Sequence, residues 1–146
     1  MFDAIVVDQP RTVTQSLPFA DLWRFLPIGY LFTIAIETPV LLIGMSPKVT
    51  IRQRLLFGVW LTACTYPIVI LVMPAIFWDT SRALYLFVAE TFAPVAECAL
   101  FWLASRKRTD LTTVDWIRCL VVIVLANLAS FGAGEVLNYY AWFGLF

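Results

Sequence analysis

The segment Val88–Leu103, VAETFAPVAECALFWL, sets two glutamates, Glu90 and Glu97, inside an otherwise apolar run. At about 100° per residue their spacing returns nearly to the same helix face, and Pro94 falls on the same stripe. Extended over the flanking residues, the run is long enough to cross a bilayer as a helix. An ionised carboxylate near the bilayer centre costs about 2.5 kcal/mol or more, so such a face turns toward a bundle interior or a water-filled cavity. Intramembrane acids of this kind mark candidate ion, proton or ligand sites.

Composition extends this membrane assignment to the whole chain. Of 146 residues, 62% are hydrophobic and 16% aromatic, and the mean hydropathy is +0.87, against about 45–50% apolar in a soluble domain. The expected fold is therefore all-α, a single polytopic membrane domain of four transmembrane helices in a bundle. Histidine is absent, which removes the usual haem, copper and catalytic zinc ligand and the usual general base near neutral pH. No haem is expected. Cys64, Cys98 and Cys119 show no CxxC spacing and read as small core residues. The segment 1–20 lacks the pattern of a cleaved signal and reads as a retained, irregular extracytoplasmic segment on the membrane surface, with Asp21 a candidate cap for the helix that follows. Neither end carries a lipidation signal.

Four spans are predicted, at about 22–45, 54–78, 82–105 and 114–140. Tyr30, Thr33 and Glu37 share a face of the first. The second carries Pro67 and Pro74, with Gly58, Thr62 and Thr65 as its small and polar stripe. The fourth has Asp115 near its N-terminus, a stripe of Asn127, Ser130, Gly134 and Asn138 with Glu135 adjacent, and an aromatic tail of Tyr139, Tyr140, Trp142, Phe143 and Phe146 suited to an interfacial belt. Lys48, Arg52 and Arg54 fall between spans one and two, and Arg106, Lys107 and Arg108 between three and four, with Arg118 just beyond. The positive-inside rule puts both basic loops in the cytoplasm and both termini outside. So uneven a distribution argues against an antiparallel, dual-topology dimer.

Depths follow from this topology. Glu37 and Glu97 are expected at one inner level and Glu90 and Glu135 at an outer one, roughly 10 Å away, with Thr62, Thr65 and Asn127 between. Spans one and three also share a loose pattern, YLFTIAIETP from Tyr30 and YLFVAETFAP from Tyr85, compatible with a duplicated hairpin. Without a cationic side chain nearby, buried carboxylates must hold protons, meet a cation or be reached by water. The candidate ion- or proton-binding set is Glu37, Glu90, Glu97, Glu135, Asn127, Thr62, Thr65 and Ser130. A divalent cation is one candidate occupant, with Glu90 and Glu97 as its carboxylate ligands. The same groups could instead act as hydrogen-bonding glue between helices. Pro67, Pro94, Gly132 and Gly134 would either widen a cavity or permit close packing.

No Ser-His-Asp set, HExxH, GxSxG or nucleotide loop is present, so no ordinary enzyme is expected. The RQR and RKR clusters read as topology determinants that contact anionic lipid head groups, and nucleic acid is not an expected partner. Two functions follow: a proton- or cation-binding bundle used for transport, or a non-catalytic accessory subunit of a larger membrane complex. The first would work alone or as a homo-oligomer, whereas the second would co-purify with a larger membrane protein at fixed stoichiometry.

At LTACTYP, AETFAPVAE and ANLASFGAGE the chain resembles a loose group of small bacterial inner-membrane proteins with no activity assigned to the group. Thr65 and Pro67 match its Thr-x-Pro motif, Glu90 and Glu97 its spaced glutamates, and Asn127 and Ser130 its Asn-x-x-Ser. The resemblance implies a multi-pass protein of a bacterial inner membrane and supports the choice of residues, without implying a mechanism.

Overall fold

The computed structural model describes residues 19–77 and 81–139, and within these the side chains of residues 19–21, 82 and 138 lie outside the description. The expected N-terminal surface segment, the Asp21 cap, the Asn138 side chain and the aromatic tail beyond Tyr139 therefore fall outside the described residues. The described chain is all helical: α1 (Phe19–Gly44), α2 (Ile51–Pro67), a π turn (Ile68–Val72), α3 (Met73–Phe77), α4 (Arg82–Ser105) and α5 (Thr113–Tyr139). Since α2, the π turn and α3 run on as one span, four helices are long and apolar enough to cross a membrane. In the bundle α1 and α4 each pack against α2 and α5, so α1 faces α4 across the centre.

Burial is arranged for a lipid solvent. Ile43 is 82% exposed and Phe87 70%, whereas Glu37 and Glu97 are 3% exposed and Thr62 only 1%. Charged and polar groups go inside because nothing outside can satisfy them, and apolar side chains meet lipid at little cost.

The end of the bundle that carries the two basic loops is closed by hydrogen bonds. Arg54 reaches back from α2 to donate to the carbonyls of Leu42 (2.5 Å), Ser46 (3.0 Å) and Val49 (2.8 Å). Arg118 of α5 donates to the Gly44 carbonyl at 2.7 Å, so two guanidinium groups cap the last turn of α1. Thr50 and Gln53 form a capping box at the start of α2, and Thr112 and Asp115 pair reciprocally at the start of α5. Asp115 also accepts from Ser46 at 2.6 Å and from Lys48 at 2.7 Å, which ties the two loops together. Arg108 completes the clasp, donating to the Lys48 carbonyl, Gln53 and Asp110. Its guanidinium holds the Asp110 carboxyl below the usual carboxylate range. The basic residues read as topology signals thus divide: Lys48, Arg54, Arg108 and Arg118 build this clasp, while Arg52, Arg106 and Lys107 face outward.

Beneath the clasp lies the apolar core, built from Leu41, Met45, Leu61, Phe101, Cys119 and Ile123 with their neighbours. Phe101 stacks edge-on between Phe57 and Trp116, at centroid separations of 5.0 and 5.5 Å. Gly58 lets α2 approach α1 closely, since a Cβ there would lie 2.5 Å from the Thr38 hydroxyl oxygen and 3.1 Å from its Cα.

Candidate functional site

Halfway along the bundle the packing gives way to polar side chains. Glu37 enters from α1 and Glu97 from the diagonally opposite α4. α2 supplies two threonines and α5 an asparagine and a serine, each pair three residues apart and so on one helix face. Thr62 Oγ1 lies 2.7 Å from Glu37 Oε2, and Ser130 Oγ 2.7 Å from Glu37 Oε1. Thr65 Oγ1 lies 2.8 Å from Glu97 Oε1, and Asn127 Nδ2 2.8 Å from Glu97 Oε2. The two glutamates lie within electrostatic range of each other.

This arrangement has an internal two-fold pattern. Glu37 is held by the first polar residue of its own hairpin's second helix, Thr62, and by the second of the other hairpin's, Ser130. Glu97 is held by the first of its own, Asn127, and by the second of the other, Thr65. The structural equivalence pairs Glu37 with Glu97, and therefore Tyr30 with Glu90. That differs from the alignment suggested by the YLF motifs, which set Tyr30 against Tyr85, because the hydrogen-bonding depth, not the aromatic spacing, defines the repeat.

Each partner of the glutamates is also in contact with a carbonyl of its own helix. Thr62 faces Gly58 O at 2.9 Å, Thr65 faces Leu61 O at 3.1 Å, Asn127 faces Ile123 O at 3.1 Å and Ser130 faces Asn127 O at 2.9 Å. Around Glu97 this makes four contacts, at Thr65 Oγ1 to Oε1, Thr65 Oγ1 to Leu61 O, Asn127 Nδ2 to Oε2 and Asn127 Nδ2 to Ile123 O. Only three hydrogens are on hand, one on the threonine and two on the amide. A proton on the carboxyl supplies the fourth: Glu97 then donates to Thr65, and Thr65 to Leu61 O. With the carboxylate ionised, Thr65 turns its hydrogen to Glu97 instead. Thr62 offers Glu37 the same choice. Both sites can gain or lose a proton by rotation of a hydroxyl, without movement of the backbone.

From this level a cavity of about 220 Å³ runs toward the end of the bundle where α1 begins and α5 ends. Its walls include Glu37, Glu90, Glu97, Glu135, Asn127, Thr62, Thr65 and Ser130, all of the oxygen-bearing candidates read from the sequence. Their levels differ from expectation in one respect. Thr62, Thr65 and Asn127 do not sit between the inner and outer glutamates but at the inner level, hydrogen-bonded to Glu37 and Glu97, while Glu90 and Glu135 line the cavity farther out. Ser130 joins the inner set.

Aromatic walls were not legible as such. Phe32, Tyr66, Tyr85 and Phe131 line the cavity, and in sequence they are scattered among lipid-facing aromatics of the same kind. The π turn is not legible in the sequence either. Pro67 has no N–H to continue the helical ladder, and the Met73 N–H bonds to Ile68 O in the wider register. Val69 of that turn lines the cavity, and its carbonyl accepts from the Tyr85 hydroxyl at 3.2 Å. Gly29 leaves room for the Tyr66 hydroxyl, which a Cβ would strike. Gly132 and Gly134 have no neighbour within 4 Å of a built Cβ, so they do not mediate close packing among the described residues, and Gly134 borders the cavity.

Among the described residues no three His, Cys, Asp or Glu gather as a metal site. Both Glu97 oxygens already face hydrogen-bonding partners, and the Asn127 amide turns its NH₂, not its oxygen, toward the site, where it would oppose a metal ion. A divalent cation held by Glu90 and Glu97 would have to share the Glu97 oxygens with Thr65 and Asn127. No protein-family model, curated protein or solved structure matches the chain.

Proposed function

We propose that this protein is a small proton-coupled membrane carrier in which Glu37 and Glu97 are the proton-binding groups. The observation that carries this is the hydrogen count around Glu97, in which four contacts are completed by one carboxyl proton. Two carboxylates within range of each other, with no lysine or arginine on the cavity wall among the described residues, repel when both are ionised, so loss of a proton calls for another cation in its place. That is the elementary requirement of exchange. The charge of the loops supports an orientation with the clasped end in the cytoplasm, in which the cavity takes its cargo from the outer side, and the resemblance to small bacterial proteins supports an inner-membrane location.

Proteoliposomes enclosing a pH-reporting dye test this directly. A panel of inorganic and organic cations is added outside in turn. At least one is expected to drive protons across the wild-type vesicles, and Glu37→Gln and Glu97→Gln should each abolish the signal while leaving the protein folded. Proton movement that is absent from wild type for every cation, or unchanged from wild type in both variants, would overturn the proposal.

A further inference from the structure

We infer that the cargo of the cavity is a small organic cation, an amine or quaternary ammonium, taken up in exchange for protons. This rests on the reading of Glu37 and Glu97 as proton sites and adds the chemical class of what displaces the protons. Among the described residues the cavity wall combines acid and aromatic groups and bears no basic ones. Glu90 and Glu135 lie beyond the inner glutamates, with Phe32, Tyr66, Tyr85 and Phe131 on the same walls. A cation with a hydrophobic body suits such a lining: aromatic faces attract it electrostatically and cover its methylenes, while carboxylates balance its charge.

Alternative cargoes fit less well. An anion would meet the carboxylates of Glu37, Glu90 and Glu97. A bare divalent ion needs about six to eight oxygen ligands drawn tightly round it, whereas the inner oxygens are engaged by Thr62, Thr65, Asn127 and Ser130. The volume, about 220 Å³, lies below the roughly 300–1,000 Å³ of drug-sized sites, which limits the cargo to a molecule smaller than a drug. On binding, the positive charge lies among the carboxylates, Thr62 and Thr65 turn their hydroxyls to Glu37 and Glu97, and the carboxyl protons leave by the cavity, one for each charge taken up.

The test uses the full chain in lipid nanodiscs, titrated calorimetrically with benzylammonium, tetramethylammonium, sodium and magnesium chlorides at matched ionic strength. Saturable binding of an organic cation is expected, with an affinity that falls by up to about tenfold per unit decrease in pH as one proton competes. Phe131→Leu should weaken it about fivefold and Glu90→Gln by about tenfold or more, with thermal unfolding unchanged in both. No saturable binding of either organic cation, or binding of sodium or magnesium that is equally tight, would overturn the assignment of cargo. In that case a carboxyl group that still titrates in the infrared leaves the proton sites standing. Binding of an organic cation with no dependence on pH would overturn the exchange and the proton sites together.

Discussion

The two halves of this bundle use the same four helices for opposite ends. On the side of the basic loops, Leu41, Met45, Leu61, Phe101 and Ile123 fill the interior, and Arg54, Arg108, Arg118 and Asp115 tie the helix ends together. On the side where α1 begins and α5 ends the helices carry Pro27, Pro67, Pro74 and Pro94, one passes through a π turn, and they enclose a cavity walled by acids. The Glu37 and Glu97 level is the boundary. A packed half holds the helices at fixed separation, and a cavity-bearing half keeps the buried carboxylates apart from lipid. If the proposed function holds, stability and chemistry fall on different residues, and substitutions in the two halves should fail in different ways.

The sharpest contrast is expected from Arg54→Ala, which strips three carbonyls of a charged donor. We expect a loss of about 3 kcal/mol or more in denaturant titrations in detergent, since hydrogen bonds to charged groups contribute about 1.5–3 kcal/mol each and do not add fully. Lysine should rescue little of it, because an ammonium lacks the fork that spans three acceptors. Gly58→Ala comes next. Its Cβ would press on Thr38, and overpacking of this kind costs about 1–3 kcal/mol, which a shifted unfolding midpoint would register. Unfolding unchanged in both variants would show that the loop half does not hold the bundle.

In the open half the order of effects reverses. Glu97→Leu should lower stability by only about 1 kcal/mol, since Thr65 and Asn127 keep their own-helix carbonyls as partners, yet it should abolish proton exchange in vesicles. Glu97→Gln should change stability least, by less than about 0.5 kcal/mol, because its NH₂ donates to Thr65 and its oxygen accepts from Asn127 as the protonated acid does. Loss of exchange with retained stability is the signature that separates a proton site from structural glue.

Much of this was legible in the sequence, for a physical reason. Four spans followed from hydropathy alone, and helix α4 (Arg82–Ser105) coincides with its predicted bounds, because a bilayer enforces length and apolarity on every crossing segment. Oxygen-bearing side chains could be gathered into one set because lipid forbids them any other place. Pairing was harder to read. Which threonine meets which glutamate depends on helix rotation and depth to within one turn, so spacing alone puts Thr62 and Thr65 a level away from where they sit, and the YLF repeat suggests a register five residues from the one the hydrogen bonds define. The clasp was hidden for a different cause: Arg54 and Arg118 have the same spacing whether they face lipid head groups or fold back onto the carbonyls of Leu42 and Gly44.

The most direct measurement is the carboxyl C=O stretch in the infrared, followed against pH for the protein in lipid bilayers and compared with Glu37→Gln, Glu97→Gln and the double variant. A band of protonated carboxyl that disappears as the pH is raised, is diminished in each single variant and is lost in the double one is the expected result. A band that does not respond to pH, or that survives removal of both glutamates, would contradict the assignment of Glu37 and Glu97 as the groups that bind and release protons.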